Sequence, residues 1–539
     1  MPSSIPSSEY SQATTMQSMR NQVGSKVRNM THYGQPTIEI NLKGTDGPRN
    51  TWVTSYSTMD TIEGNVTITA LHDTRFEDID IAFIGTCQVY VDTFTTSPSM
   101  TGRTEANHRF LVLRQPIAES DFPSPRIFEA GRTYQFPFTF TVPAQLLPKS
   151  CSHKVSSEHV RDCHLMLPPS LGDADLAGFG GSLLDDLAPE MSKISYNIKV
   201  RIARRQGNEG ITVLGEKTKK VRIKPALIEQ PPLNIDGNKE YRARHEKTIK
   251  KGLFKGKLGT LSARTVQPKA LVIPGARTTD NQTITTMAKL VLRFDPTDET
   301  AFPPRLGSLS TKIKVSTCYA SSPRQNFPSR LTIGFDASQG AYSESIALST
   351  LCIASAPWEK HSADQNPEPE EDPERRDSGI SDCSTTSNSE AAFAAGILPA
   401  SKDYKNGIFY TAQVLVPVTL PMNKNFIPTF HCCLVSRTYT LGMTFNVHGG
   451  SSTSLKVPIQ ICAEGSDTGI ENARARSVEE TQLRQAIDMW APRSVAPPPS
   501  FSEVERAPRS NSVGTRDELP PDYSAFATPV RRYEGLVAV

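Results

Sequence analysis

Apolar and polar residues alternate with period two through most of this chain, and that pattern constrains the fold more than any other feature. Phe136, Phe138, Phe140 and Val142 alternate with Pro137, Thr139, Thr141 and Pro143. Ile194, Tyr196, Ile198, Val200 and Ile202 alternate in the same way with Lys193, Ser195, Asn197, Lys199 and Arg201. Successive strand side chains point to opposite faces, so each run buries one face and leaves the other wet. Ile79, Ile81 and Phe83 form a further run closed by Gly85, and Val66 with Ile68 form another after Gly64. A second block repeats the pattern in Ile313 and Val315, in Val414, Val416, Val418 and Leu420, in Tyr439, Leu441, Met443, Phe445 and Val447, and in Val457, Ile459 and Ile461. Prolines at 143, 148, 417, 421 and 428 fall at strand ends or edges, where a missing N–H is tolerated. Helix-period stretches are almost absent, so the chain reads as all-β, with two lobes built as sandwiches of short antiparallel strands.

At 539 residues there is room for two or more cores, while 37% hydrophobic content and 41 prolines leave a sizeable part of the chain without one. The expected organisation is a disordered leader over 1–35, a first lobe over 36–228 with an insertion at about 151–192, and a basic linker over 229–252. A second lobe over 253–465 follows, interrupted by a disordered acidic insertion at about 357–395, and then a tail over 466–539. The formal net charge of +3 is too balanced for a dedicated nucleic-acid binder, so no nucleic acid is expected as a partner. Local charge is another matter. Lys239 to Lys257 holds eight basic residues against Glu240 and Glu246. Lys247, Lys250, Lys251, Lys255 and Lys257 are therefore a candidate patch for peripheral contact with anionic headgroups. No signal peptide is expected from the polar opening M-P-S-S-I-P-S-S-E-Y, and no apolar stretch approaches the roughly 20 residues of a membrane-spanning helix. The cysteines are scattered rather than arranged as a disulfide framework, which fits a reducing cytoplasm.

Signatures of catalysis are missing: no G-x-S-x-G, H-E-x-x-H or C-x-x-C occurs. The stretch G-L-F-K-G-K over 252–257 has a glycine spacing one short of a phosphate-binding loop, and Leu258 stands where such a loop needs Ser or Thr. The reading is therefore of a non-enzyme without cofactor. Cys151, His153, His159, Cys163 and His164 carry metal-ligand chemistry, yet no second paired half at finger spacing accompanies them. They are taken as loop residues, and no metal is assigned.

The tail carries the motifs. Ser477 and Glu480 have capping-box spacing, and Leu483, Ile487 and Trp490 recur along one face until Pro492, which predicts a short amphipathic helix over 477–490. Arginines precede Ser378, Ser477 and Ser510, and Arg509-Ser510-Asn511-Ser512 resembles a 14-3-3 docking motif with Gly514 in place of the usual proline. Phosphate at these candidate sites would create ligands for arginine clusters. Asp377-Ser378-Gly379-Ile380-Ser381 looks like a shortened phosphodegron. Finally, Pro520, Pro521, Asp522 and Tyr523 spell P-P-D-Y. Consecutive prolines pre-set polyproline II, so an aromatic groove can take them at low ordering cost, and Tyr523 fixes the register; this is a WW-domain ligand.

Together these residues resemble a fungal-type alpha-arrestin, an arrestin-related trafficking adaptor. The first lobe is similar in Tyr56, Gly64-x-Val66, the strand Ile79 to Gly85, the string F-P-F-T-F-T-V-P-A-Q-L-L-P-K-S from Phe136 to Ser150, and the strand around Tyr196. The second is similar in Leu253 to Gly275, Leu290 to Phe294, and S-R-T-Y-T-L from Ser436 to Leu441. The resemblance implies two arrestin-like, immunoglobulin-like β-sandwich lobes joined by a hinge. It also implies a tail motif that recruits a WW-domain HECT-type ubiquitin ligase to transporter or receptor cargo, at the plasma membrane or endosomes. The long insertions at 151–192 and 357–395 depart from the pattern, and the polar core of visual-type arrestins has no residue-by-residue match. A β-sandwich scaffold acting without a ubiquitin ligase remains the alternative, and the cargo carries no motif.

Overall fold

A computed structural model describes residues 35–43, 55–93, 102–173, 184–205, 210–233, 235, 238–251, 256–275, 283–365, 393, 395–405, 407–447, 451–469, 471, 478–479 and 481–485. The N-terminal strands are β1 (Thr37–Leu42), β2 (Ser55–Tyr56), β3 (Thr61–Thr69), β4 (Thr74–Arg75), β5 (Asp78–Thr93), β6 (Gly102–Arg114), β7 (Ile127–Phe128), β8 (Thr133–Thr141), β9 (Ser192–Arg205) and β10 (Ile211–Ile223). They form a three-stranded sheet β1-β3-β8, a five-stranded sheet β2-β10-β9-β5-β6, and the small pair β4-β7.

Register follows the alternation. Phe136, Phe138 and Phe140 of β8 stand opposite Val66, Gly64 and Ile62 of β3, and Ile40 and Leu42 of β1 stand opposite Val66 and Gly64. Across the second sheet, Ile79, Ile81 and Phe83 face Ile202, Val200 and Ile198. Apart from Gly64, which has no side chain, these residues are all buried and join in one core. A slip of one residue would turn every one of them to solvent, so burial itself fixes the pairing.

The C-terminal strands are β11 (Arg244–Lys250), β12 (Lys257–Thr265), β13 (Leu271–Ile273), β14 (Thr285–Pro296), β15 (Leu306–Ala320), β16 (Gln339–Cys352), β17 (Glu359–His361), β18 (Phe409–Thr419), β19 (Phe430–His431), β20 (Val435–Val447), β21 (Ser451–Ile459) and β22 (Ile461–Ala463). One sheet runs β11-β12-β14-β18-β17, another β16-β15-β20-β19 with β21 also on β20, and β13 pairs with β22. Leu261, Leu292, Phe294, Val416 and Val418 from the first of these meet Ile313, Val315, Leu441, Phe445 and Val457 from the second in a separate core. The architecture is thus all-β and multi-sheet. The two cores touch where the turn before β20 reaches across: Ile427, Phe430 and residues 432–435 belong to the N-terminal core.

Three segments differ from the sequence reading. Part of the stretch read as a basic linker is strand β11, paired with β12 along its length; Ile249 is its buried residue, and the lysines around it hide the strand signal. The segment opening the first insertion is also ordered. A 3-10 turn over Pro148–Cys151 leads to helix α1 (Glu158–Leu165), started by Ser157, whose Oγ accepts from the Val160 N–H, and stopped before Pro168 and Pro169. Of the acidic insertion, residues 359–361 are strand β17 on the edge of a sheet; residues 366–392 lie outside the described residues. No helix among the described residues is long and apolar enough to cross a membrane.

Candidate functional sites

The sequence-predicted binding residues fall into three groups. Pro520, Pro521, Asp522 and Tyr523, the serines at 378, 477, 510 and 512, and Lys255 lie outside the described residues. Of the expected tail helix, residues 478–479 and 481–485 are helical, with Val478 and Leu483 exposed.

The remaining lysines of the basic patch sit on the β11–β12 hairpin. Lys250 is exposed at the end of β11. Lys247 donates to the Ser452 carbonyl at 2.7 Å, tying the hairpin to β21. Lys251 pairs with Asp298 at 2.8 Å, and Lys257 pairs with Asp403. Each lysine holds its aspartate below the usual carboxylate range through a hydrogen bond and its charge. The patch is therefore less positive than its lysine count implies.

The third group is the Cys/His segment, which the fold gathers into a cluster. Helix α1 turns Val160, Cys163 and His164 inward and leaves Glu158, His159 and Asp162 exposed, the i, i+3, i+4 spacing of one helical face. The turn before it buries Cys151 fully and leaves His153 half-buried at the rim. Cys151 Sγ lies 3.3 Å from His153 Nε2 and 3.7 Å from His164 Nδ1. A fourth residue arrives from far along the chain: Cys433, buried in the turn before β20, completes a set whose ligand atoms all lie within 4.8 Å of one another.

Neighbouring groups hold this arrangement. The Arg161 guanidinium donates to the Cys151 carbonyl at 3.2 Å. His153 Nδ1 makes a 3.1 Å hydrogen bond with the Lys154 carbonyl; a carbonyl only accepts, so Nδ1 carries the proton and Nε2 presents its lone pair to Cys151. The Cys433 thiol points at the Ser150 carbonyl, 3.9 Å away. Arg324, also buried, holds the far side of the turn by donating through its backbone N–H to the Cys433 carbonyl at 2.9 Å and through Nη2 to Ser436 Oγ at 2.6 Å. Burial, with His153, Arg324 and Arg161 adding like charge, brings His164 down to about 4. Burial pushes the Cys433 thiol up, and the adjacent Cys432 and Cys151 add to it.

Two of the five residues singled out in sequence are not in the set. His159 is exposed and stacks edge-on against Phe327, with ring centroids 5.5 Å apart. Cys163 is buried, and desolvation raises its thiol. The missing member, Cys433, was signalled only by the dipeptide Cys432-Cys433, whose distance of more than 250 residues from the Cys/His segment hides the relation. Four nitrogen and sulfur donors at this spacing can close around one borderline-soft cation. No protein-family model matches the chain, and no curated protein matches it.

Proposed function

We propose that the protein is an arrestin-type trafficking adaptor: a body of two β-sandwich lobes engages membrane cargo, and P-P-D-Y over 520–523 recruits a WW-domain HECT-type ubiquitin ligase, leading to cargo ubiquitination, endocytosis and sorting. The observation that carries the reading is positional. The all-β body has its last described strand at Ile461–Ala463, and the proline-tyrosine ligand follows some 60 residues later, beyond that strand. The order of the arrestin-like strings supports it. Val66, Ile81, Phe138 and Tyr196 line the N-terminal core, while Leu292, Tyr439 and Leu441 line the C-terminal one. The protein's part is to bring two partners together, since a polyproline II ligand offers affinity and register but no reacting group.

The test is titration of the full chain with isolated WW domains. Tyr523→Ala and Pro521→Ala each abolish binding, and the thermal unfolding of the body stays unchanged, because neither core among the described residues draws on the motif. Undiminished WW binding by the double variant removes the ligase-dependent reading and leaves a scaffold.

A further inference from the structure

We propose that Cys151, His153, His164 and Cys433 form a tetrahedral structural zinc site that fastens the 151–164 segment to the turn preceding β20. The donor set is the first argument. Two thiolates and two imidazoles are one of the standard donor sets of closed zinc sites, and softness favours zinc over magnesium or calcium.

Geometry is the second argument. With Zn–S near 2.3 Å and Zn–N near 2.0–2.1 Å, tetrahedral angles place sulfur and nitrogen ligands about 3.6 Å apart. The Cys151–His153 and Cys151–His164 separations of 3.3 and 3.7 Å bracket that value, and the remaining ligand atoms fall within 4.8 Å. An ordinary thiol–imidazole hydrogen bond explains one such contact; it does not explain why four ligand atoms from three places in the chain lie within 4.8 Å of one another.

The surroundings are the third argument. His153 Nδ1 is committed to the Lys154 carbonyl, the outer contact that orients a metal-binding histidine and leaves its other nitrogen free. Cys151, His164 and Cys433 are buried, while His153 stands at the rim and provides a path of entry. Four protein ligands leave no open position for water or substrate, so the site is structural rather than catalytic. Its effect is topological: Cys433 is about 270 residues from His164, and one ion would cross-link the N-terminal insertion to the C-terminal sheet at the place where the two cores touch.

The experiment uses the full chain purified under a non-chelating reductant. Mass spectrometry of metals should find about one zinc per chain, and Cys433→Ser or His153→Gln should weaken zinc binding at least about tenfold, the scale that disturbing even an outer contact produces. Cys163→Ser, outside the set, should keep it. Should the variants not fold, wild type alone decides: stripped by chelator and titrated with Co²⁺, it should show the visible absorption of tetrahedral cobalt with sulfur-to-metal charge transfer, and its melting temperature should fall on stripping and return with zinc. Folded wild type that takes up neither zinc nor cobalt overturns the proposal. So does metal retained equally by Cys433→Ser and His153→Gln, or a Cys151–Cys433 disulfide found in the reduced, zinc-supplemented protein.

Discussion

Arg293 shows what single side chains contribute away from any binding site. It lies inside the sheet on β14, pairs with Asp295 at 2.7 Å, donates to the Leu398 carbonyl at 2.6 Å, and stacks its guanidinium 4.1 Å over Phe409. Asp295 in turn accepts from the Ser401 N–H at 2.8 Å. The pair therefore pins the returning segment around 398–401 onto the outer face of β14, where Val291 and Leu398 form a small apolar cluster. A buried charge left without its partner is costly. Asp295→Ala should lower stability by about 3–5 kcal/mol in urea denaturation, whereas replacing both residues with apolar ones of similar volume should cost far less. Equal losses in the single and double variants would show that packing, not charge pairing, holds the segment.

At the scale of elements, the β11–β12 hairpin is where the membrane question is decided. β11 is the edge of its sheet, and lysines on an edge also discourage pairing with other chains, so their presence has a structural explanation. Asp298 and Asp403 offset two of them. If the hairpin meets an anionic surface, Lys250→Ala should reduce binding to phosphatidylserine vesicles about fivefold, the value of one basic residue near the surface. Asp298→Asn and Asp403→Asn should raise it by a similar factor, since each unmasks a lysine. Co-sedimentation at low and physiological salt measures both. Equal pelleting of all the variants would leave the hairpin with only its structural role. Gly64 shows the same dependence of an element on one residue: a Cβ there would lie 2.3 Å from the Phe138 ring, so the β3–β8 register requires glycine at this position.

For the whole molecule, the proposed output is exclusive occupancy of the tail. Ser512 and Tyr523 are 11 residues apart, and even a random coil of that length would span only 5–6 Å × √n, or under about 20 Å. A 14-3-3 protein on phosphorylated Ser512 would then overlap a WW domain on P-P-D-Y, and binding of one should exclude the other in a competition assay on the phosphorylated tail. Simultaneous binding at undiminished affinities would show that this spacing carries no switch. The body is joined to the tail through residues 466–469, where Thr468 Oγ1 donates to buried Asp60 at 3.1 Å and Ser466 bonds the same carboxylate. The start of the tail is thereby held against the turn before β3, whatever binds further along.

Alternation alone determined the strands that matter most: the phenylalanines of β8 and the apolar run of β9 had to face a core, because a period of two admits one buried face and no other arrangement hides them. Strand β11 was not legible, since only Ile249 along it is buried and an edge strand needs little apolar surface. The Cys/His residues were visible but lacked meaning. Local sequence placed Cys151, His153 and His164 near one another, as residues 13 apart joined by a turn and a helix must be. Only the tertiary structure supplied Cys433, because proximity between residues hundreds of positions apart is set by how the sheets stack, and no local pattern records it.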